Sequence, residues 1–220
     1  PEALRDVLGP VEGGEGGADS IAREWLGRAG KRWRPFLTVC AWKALQNDAD
    51  PNASADAPFP EDLRKAAVAV ECFHKASLIH DDIEDGDRDR YGEPTLHMEH
   101  GTAVALNVGD LLVGEGYRLL AECESVHASV RGEMIKIASA GHRTLCLGQG
   151  AELTWAHAPA PLTPLQVVEI FRRKTAPAFE VALRIGAALA DADDDVHRTL
   201  TKYSEALGIA YQIKDDLEDL

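Results

Sequence analysis

The sequence has few of the features that mark nucleic-acid-binding, secreted or membrane-spanning proteins. Its 23 lysines and arginines are outnumbered by 37 acidic residues, for a net charge of -14, and no basic tract offers nucleic-acid phosphates a local exception. The widely spaced cysteines lie in apolar stretches, which predicts buried, reduced thiols; they are Cys40, Cys72, Cys123 and Cys146. No apolar run approaches the roughly 20 residues of a membrane span. We therefore expect a soluble, cytoplasmic protein, in which any anionic substrate would need local cations or metals.

The residues that are present favour a helical globular fold. With 220 residues and 45% hydrophobic content, the chain can bury one sizeable core, so we expect a single domain over residues 1–220. Long segments rich in Ala, Leu, Glu and Arg, with little strand-type alternation, predict an all-α fold. Because the chain begins at Pro1 and ends at Leu220, directly after an acidic helical motif, we expect a piece of a longer protein that lacks its C-terminal helices.

Helix-breaking residues divide the chain into predicted helices separated by polar or glycine-rich loops. The best-defined helix covers Glu61 to Asp85, where apolar residues recur at helical spacing. Thr163 and Pro164 form a plausible cap and first turn. The other predicted helices run from about Asp19, from Arg34 to Leu45, from Thr102 to Cys123, from Val126 to Leu147, from Thr163 to Ala190, and from a cap within Asp191 to Asp195 to the end of the chain.

Two acidic motifs of equal spacing carry the first indication of chemistry. Asp81 and Asp85 are four residues apart at the end of the best-defined helix, so they share a face where the helix dipole disfavours negative charge. At about 4 Å two such charges repel by roughly 4 kcal/mol at an effective dielectric of about 20. Asp215 and Asp219 repeat the spacing near the chain end, with Gln212 one turn earlier. Hard carboxylate oxygens in this arrangement predict Mg²⁺ binding.

Further motifs occur in a familiar order along the chain. They are GKRWRP at Gly30–Pro35, ECFHKASLIHDDIED at Glu71–Asp85, Arg90 with Gly92, Pro94 and Thr95, Gln149, the pair Lys174–Thr175, and GIAYQIKDDLED at Gly208–Asp219. Together they resemble the trans-isoprenyl diphosphate synthase (polyprenyl synthetase) family. The resemblance implies an isoprenoid synthase-type helical bundle around a central cavity, and a prenyltransferase that condenses an allylic diphosphate with isopentenyl diphosphate head to tail.

The resemblance also implies roles for individual residues. About three Mg²⁺ ions would bind the allylic diphosphate, held by Asp81, Asp85, Asp215 and Asp219, with Asp82 in support. The same diphosphate would contact Arg90, Lys174 and Gln212, with Thr175 orienting the leaving group. Isopentenyl diphosphate would lie near Lys31, Arg34 and His74. Released diphosphate would take the final proton, and a homodimer is expected from the family alone.

One departure from the family keeps other functions open. The family usually has two adjacent arginines after the first acidic motif, whereas here Tyr91 follows Arg90, so a charge-assisted phosphate contact is missing. Terpene cyclisation, or prenyl transfer to another acceptor, is therefore an alternative. A catalytically silent regulatory subunit is a second, and a metal-storing bundle built on the Glu71 and His74 pair is a third.

The resemblance further implies that the growing product runs beside the helix that carries the first acidic motif, so that this helix sets product length. Ala76 and Ser77, one turn below Asp81, are small and leave the upper tunnel open. Phe73 lies about 12 Å below Asp81 and nearly in line with it, which predicts a stopper for a product of about 20 to 25 carbon atoms. Packing of Phe73 in the core is the alternative interpretation.

Overall fold

A computed structural model describes residues 6–28, 30–49 and 58–218, without the side chains of 47–49, 216 and 218. This part of the chain is almost entirely helical, so the all-α prediction is confirmed. A two-stranded antiparallel hairpin pairs β1 (Asp89–Arg90) with β2 (Glu93–Pro94). Helices α1 to α9 are Ala18–Gly27, Trp33–Ala49, Glu61–Asp85, Leu96–His100, Thr102–Ala121, Ala128–His157, Pro164–Lys174, Ala176–Leu189 and Asp194–Glu218.

The predicted helix bounds hold best where capping residues mark them. Helix α3 has the predicted bounds, and α7 begins with the predicted cap, in which the Thr163 side chain and Gln166 form a reciprocal capping box. Helix α6 continues ten residues beyond the predicted end at Leu147, as far as His157. The predicted single helix from Thr163 to Ala190 is wrong, because the chain breaks at Thr175 and α8 begins at Ala176, with Pro177 in its first turn.

The first of two compact units takes in the described residues of Pro1–Phe36 and Pro58–Ser125. Within it α3 packs along α5, and α1 and α4 also pack on α5. The helices approach closely because α5 carries glycine at the contact: a Cβ at Gly116 would lie 2.5 Å from the Phe73 ring. The buried apolar side chains of this pair include Leu63, Val70, Ile79, Val108, Leu112 and Leu119. This core holds the helix whose end carries the first acidic motif.

The second unit takes in the described residues of Leu37–Ala57 and Val126–Leu220. Here α6 packs against α7 and α8, and α9 packs against the same two helices. Phe179 of α8 meets Tyr211 of α9 edge to face, with ring centroids 5.8 Å apart. Gly208 of α9 lies against the main chain of Ala176. This packing brings the start of α8 beside the last turns of α9.

The four cysteines differ in their exposure to solvent. Cys72 and Cys123 are buried and Cys40 is half-buried, but Cys146 is exposed, so the expected burial of all four thiols is wrong for Cys146. Cys146 lies on an exposed face of α6, which the sequence pattern of this helix does not distinguish.

None of the described helices is both long and apolar enough to cross a bilayer. The prediction of one domain over residues 1–220 stays a prediction.

Candidate active site

Helix α3 ends directly after the first acidic motif. Gly86 adopts a left-handed conformation with φ of 70°, and the backbone N–H groups of Gly86 and Asp87 both donate to the carbonyl oxygen of Asp82. Asp81 is half-buried and Asp85 is exposed. The glycine stop therefore leaves two carboxylates on one face of a helix terminus where the dipole adds further negative potential.

Asp82 points into the protein and is bound by an arginine. Its side chain is buried, and Oδ1 accepts a 2.5 Å hydrogen bond from Nε of Arg90. Burial raises the pKa of Asp82, and Arg90 opposes that rise. Oδ2 is buried and has no hydrogen-bond partner among the described residues. This arrangement favours a supporting role for Asp82, because its carboxylate holds the side chain of Arg90 in place.

The hairpin after α3 presents Arg90 and Tyr91 together. Tyr91 and Gly92 have φ values of 57° and 80°, the left-handed pair of a type I′ two-residue turn. Tyr91 is 61% exposed at the tip of this turn. Arg28 anchors the hairpin by donating to the carbonyl oxygen of Pro94 at 3.3 Å, and its guanidinium also pairs with Glu99. The position of the missing second arginine is thus a fixed, accessible turn.

Two predicted isopentenyl diphosphate ligands are brought into contact. Nη1 of Arg34 lies 3.0 Å from Nε2 of His74, and the Arg34 guanidinium stacks 4.1 Å from the Trp33 ring centroid. Burial, together with the nearby cations Arg34, Lys75, Arg90 and Arg32, lowers the pKa of His74 to about 2. His74 is therefore a neutral acceptor for the Arg34 guanidinium within a concentration of positive charge. Lys31 is exposed.

In the second unit the break between α7 and α8 gathers another group of predicted residues. Thr175 donates a 2.7 Å hydrogen bond from Oγ1 to Oε1 of Gln212, and Nζ of Lys174 lies 2.7 Å from Oε2 of Glu152. The sequence analysis missed Glu152, because the helix was predicted to end at Leu147. In the longer α6, Glu152 follows Gln149 by three residues and so lies on the same side of the helix. The group therefore pairs one cation with a carboxylate and one hydroxyl with an amide.

The remaining predicted residues of the second unit have differing surroundings. Gln149 is buried in α6, and the adjacent Gly148 lies against the main chain at Arg173 and Lys174. Asp215 is half-buried in α9. Asp219 lies outside the described residues, so its predicted metal role stays a prediction.

The predicted product-length residues differ in accessibility. Phe73 is half-buried and packs edge to face on Tyr117, with ring centroids 4.9 Å apart. Ser77 is also half-buried and donates from Oγ to the carbonyl oxygen of His74. Ala76 is only 1% exposed and packs in the core. The roles of Phe73, Ala76 and Ser77 in length control stay predictions.

The donor set fits Mg²⁺ better than a transition metal. Among the described residues no three His, Cys, Asp or Glu side chains form a ready metal site. Asp81 and Asp85 offer only hard carboxylate oxygens on one face, and Asp215 offers another in the second unit. Mg²⁺ commonly takes one or two carboxylates and completes its shell with water and substrate phosphate. The pair Asp81 and Asp85 is therefore consistent with a magnesium site that becomes complete only with a phosphate ligand.

Residues 18–220 match the sequence model of the Polyprenyl synthetase family, and the chain belongs to that family. It is 31% identical over 201 residues to the short chain isoprenyl diphosphate synthase of Methanocaldococcus jannaschii, covering 91% of this chain and 57% of that protein. It is 32% identical over 197 residues to the farnesyl diphosphate synthase of Haemophilus influenzae, covering 87% and 62% respectively. The chain thus spans less than two thirds of these curated relatives.

A solved structure supports the same relationship. The geranyltransferase from Helicobacter pylori, complexed with magnesium and isoprenyl diphosphate, superposes with a TM-score of 0.84 at 27% identity, covering 99% of this chain and 72% of that one. The resemblance drawn from the sequence motifs is therefore confirmed at the level of family and fold.

Proposed function

We propose that this chain carries the catalytic core of a prenyltransferase that joins an allylic diphosphate to isopentenyl diphosphate head to tail. The observation that carries the proposal is the positive charge around neutral His74, on the same helix that ends in Asp81 and Asp85. This condensation requires cations that bind one diphosphate. It also requires carboxylates that hold the magnesium bound to the other diphosphate. The names and ligands of the relatives support the same substrates.

The first unit would bind isopentenyl diphosphate. Lys31 and Arg34 supply charge-assisted hydrogen bonds to its diphosphate. His74, held neutral, accepts from Arg34 and so orients the planar guanidinium fork rather than repelling it. The double bond of isopentenyl diphosphate is then the nucleophile, and released diphosphate is the base for the final proton.

The allylic diphosphate would be bound by residues of both motif groups. Asp81, Asp85 and Asp215 would hold Mg²⁺, which when bound neutralises charge that grows on the leaving diphosphate. Lys174 and Arg90 contact that diphosphate. Before it binds, Glu152 holds the ammonium group of Lys174 in place, and Asp82 holds the guanidinium group of Arg90. Gln212 accepts from Thr175 and so fixes its hydroxyl group.

The alternatives differ in what they require. A metal-storing bundle would need Glu71 and His74 as ligands, but Oε1 of Glu71 accepts from Arg32 and Nε2 of His74 contacts Arg34. A silent regulatory subunit has no need of two acidic motifs. Cyclisation, or transfer to another acceptor, keeps the ionisation step and remains the second candidate because Tyr91 replaces an arginine. A homodimer and a cytoplasmic location stay predictions.

A magnesium-dependent assay of diphosphate release separates these functions. We expect release to require Mg²⁺, an allylic diphosphate and isopentenyl diphosphate together. Release with the allylic substrate alone indicates cyclisation or hydrolysis. Absence of release from the full-length protein under all conditions contradicts the proposed function and favours a silent subunit.

Replacing Tyr91 by arginine should strengthen binding of isopentenyl diphosphate. Tyr91 sits at an exposed turn tip, so a guanidinium there can reach a diphosphate, and a charge-assisted hydrogen bond is worth about 1.5–3 kcal/mol. We expect Tyr91→Arg to lower the KM for isopentenyl diphosphate about tenfold with little change in kcat. Tyr91→Phe is the control, because it adds no charge. An unchanged or increased KM in Tyr91→Arg means that Tyr91 serves another acceptor or lies outside the site.

Product length should respond to Phe73 and Ser77. The Phe73→Ala variant removes the ring about 12 Å below Asp81 and should lengthen the product beyond about 20 to 25 carbon atoms. Ser77→Phe fills space nearer to Asp81 and should shorten the product. Phe73→Leu keeps most of the bulk and serves as the matched control. Mass spectrometry of the hydrolysed products measures chain length, and identical distributions in all variants exclude α3 as the ruler.

A further inference from the structure

A buried lysine and an arginine that folds back bond to the main chain at the end of α1. The carbonyl oxygen of Arg28 accepts from Nζ of Lys75 at 3.3 Å and from Nη2 of Arg32 at 3.2 Å. Nη2 of Arg32 also donates to the carbonyl oxygen of Leu26 at 2.6 Å. These bonds satisfy carbonyl groups at the end of α1, which spans Ala18–Gly27. The half-buried side chain of Arg32 therefore caps the preceding helix.

The charges beneath this part of the chain belong to α3. Nη1 of Arg32 donates to Oε1 of Glu71 at 3.0 Å, and the Glu71 side chain is 3% exposed. Lys75 is 2% exposed and lies 5.3 Å from the ring centroid of Trp25, whose indole N–H donates to the Lys75 carbonyl oxygen. Burial raises the pKa of Glu71 and lowers that of Lys75. Such buried charges cost more in desolvation than an apolar core would, so a geometric role is the better explanation for them.

The backbone next to the cluster of Arg32, Glu71 and Lys75 has an unusual conformation. Arg32 has a φ of 47°, a left-handed conformation that is uncommon for a residue with a long side chain. A Cβ at Gly30 would lie 3.8 Å from Nζ of Lys75. With Arg32 drawn inward, Lys31 is exposed and Arg34 reaches His74. Arg32 thus turns toward the cluster, between an exposed Lys31 and an Arg34 that contacts His74.

We propose that Arg32, Glu71 and Lys75 are positioning residues that hold Lys31 and Arg34 in the geometry that receives the diphosphate of isopentenyl diphosphate. The inference rests on the proposed function for the identity of the ligand. None of the three touches the reacting atoms; they act through the backbone of residues 30–34. A cluster that served stability alone would change the free energy of unfolding without changing the affinity for this substrate.

Two variants and a matched control test the proposal in the full-length protein. Glu71→Gln keeps the shape but removes the charge, and Arg32→Met removes the guanidinium from a half-buried position. Asp62→Asn is the control, because Asp62 is another buried carboxylate of α3 but binds the backbone N–H of Ser125. We expect Glu71→Gln and Arg32→Met to raise the KM for isopentenyl diphosphate about tenfold or more, with kcat and the allylic KM within about threefold. Asp62→Asn should lower stability and leave all three constants near wild type.

A binding measurement separates failure of this inference from failure of the proposed function. Titration calorimetry with inorganic diphosphate, in EDTA, reports on the cation site without turnover. We expect the Kd to increase about tenfold or more in Glu71→Gln and Arg32→Met but not in Asp62→Asn. If the wild-type protein binds diphosphate but forms no product, the proposed function is wrong. The Kd values of the variants still test whether the cluster positions the cation site. If both variants bind diphosphate as wild type does, the cluster is structural only and the inference is overturned.

Discussion

Asp81→Ala and Asp215→Ala are each expected to lower turnover by roughly a hundredfold or more. Removing one group that stabilises developing transition-state charge typically costs about 3–4 kcal/mol. The Asp81 variant should keep its fold, because the substitution also removes one of two like charges from an unfavourable helix terminus. Turnover at saturating substrate and Mg²⁺ measures the first effect, and circular dichroism and thermal unfolding measure the second.

Glu84→Ala is the matched control for this pair of variants. Glu84 is exposed in the same last turn of α3 but is outside the predicted ligand set. We expect its turnover to stay near wild type, which separates loss of a metal ligand from loss of general negative charge. Near-native turnover in Asp81→Ala or Asp215→Ala, at low as well as high Mg²⁺, contradicts the metal assignment.

Gly148→Ala is expected to destabilise the protein by about 1–3 kcal/mol. A Cβ at Gly148 would lie 2.6 Å from the backbone carbon of Arg173 and from the backbone nitrogen of Lys174. Because both of these neighbours are main-chain atoms, α7 must shift as a whole, and the displacement moves Lys174 and Thr175. The KM for the allylic diphosphate should therefore increase as the free energy of unfolding falls.

The same helix supplies the control for that substitution. Gly150 has no other atom within 4 Å of an added Cβ, so Gly150→Ala should stabilise by about 0.5–1 kcal/mol through helix propensity alone. Urea denaturation of the two variants measures the contrast. Equal stabilities would mean that α6 and α7 do not approach closely at Gly148, and that the glycine does not position Lys174.

Much of the helical structure follows from local signals in the sequence. Glu61 to Asp85 is predicted because its apolar residues recur at helical spacing and Gly86 ends the run. Thr163 and Pro164 predict the start of α7 because capping depends on neighbouring residues only. The break at Thr175 is harder to predict, because the residues before and after it belong to one continuous helical pattern. Only Pro177 marks the start of the new helix.

The identity of the candidate site is also largely a property of the sequence, whereas its geometry is not. Asp81 and Asp85 share a face on any helix, because their spacing is one turn. That Asp82 turns inward to bind Arg90 depends on the hairpin folding back on α3. That Thr175 bonds Gln212, 37 residues away, depends on the packing of α8 against α9.

The sequence by itself determined the helical fold, the two acidic helix ends and the family, because periodicity, caps and motif order are encoded between near neighbours. Only the tertiary structure revealed that Glu71 and Lys75 are buried charges beneath the segment that carries Lys31 and Arg34. A buried and an exposed lysine look alike in a helical pattern. The physical reason is that desolvation and ion pairing arise from packing between helices, which the spacing within one helix does not specify.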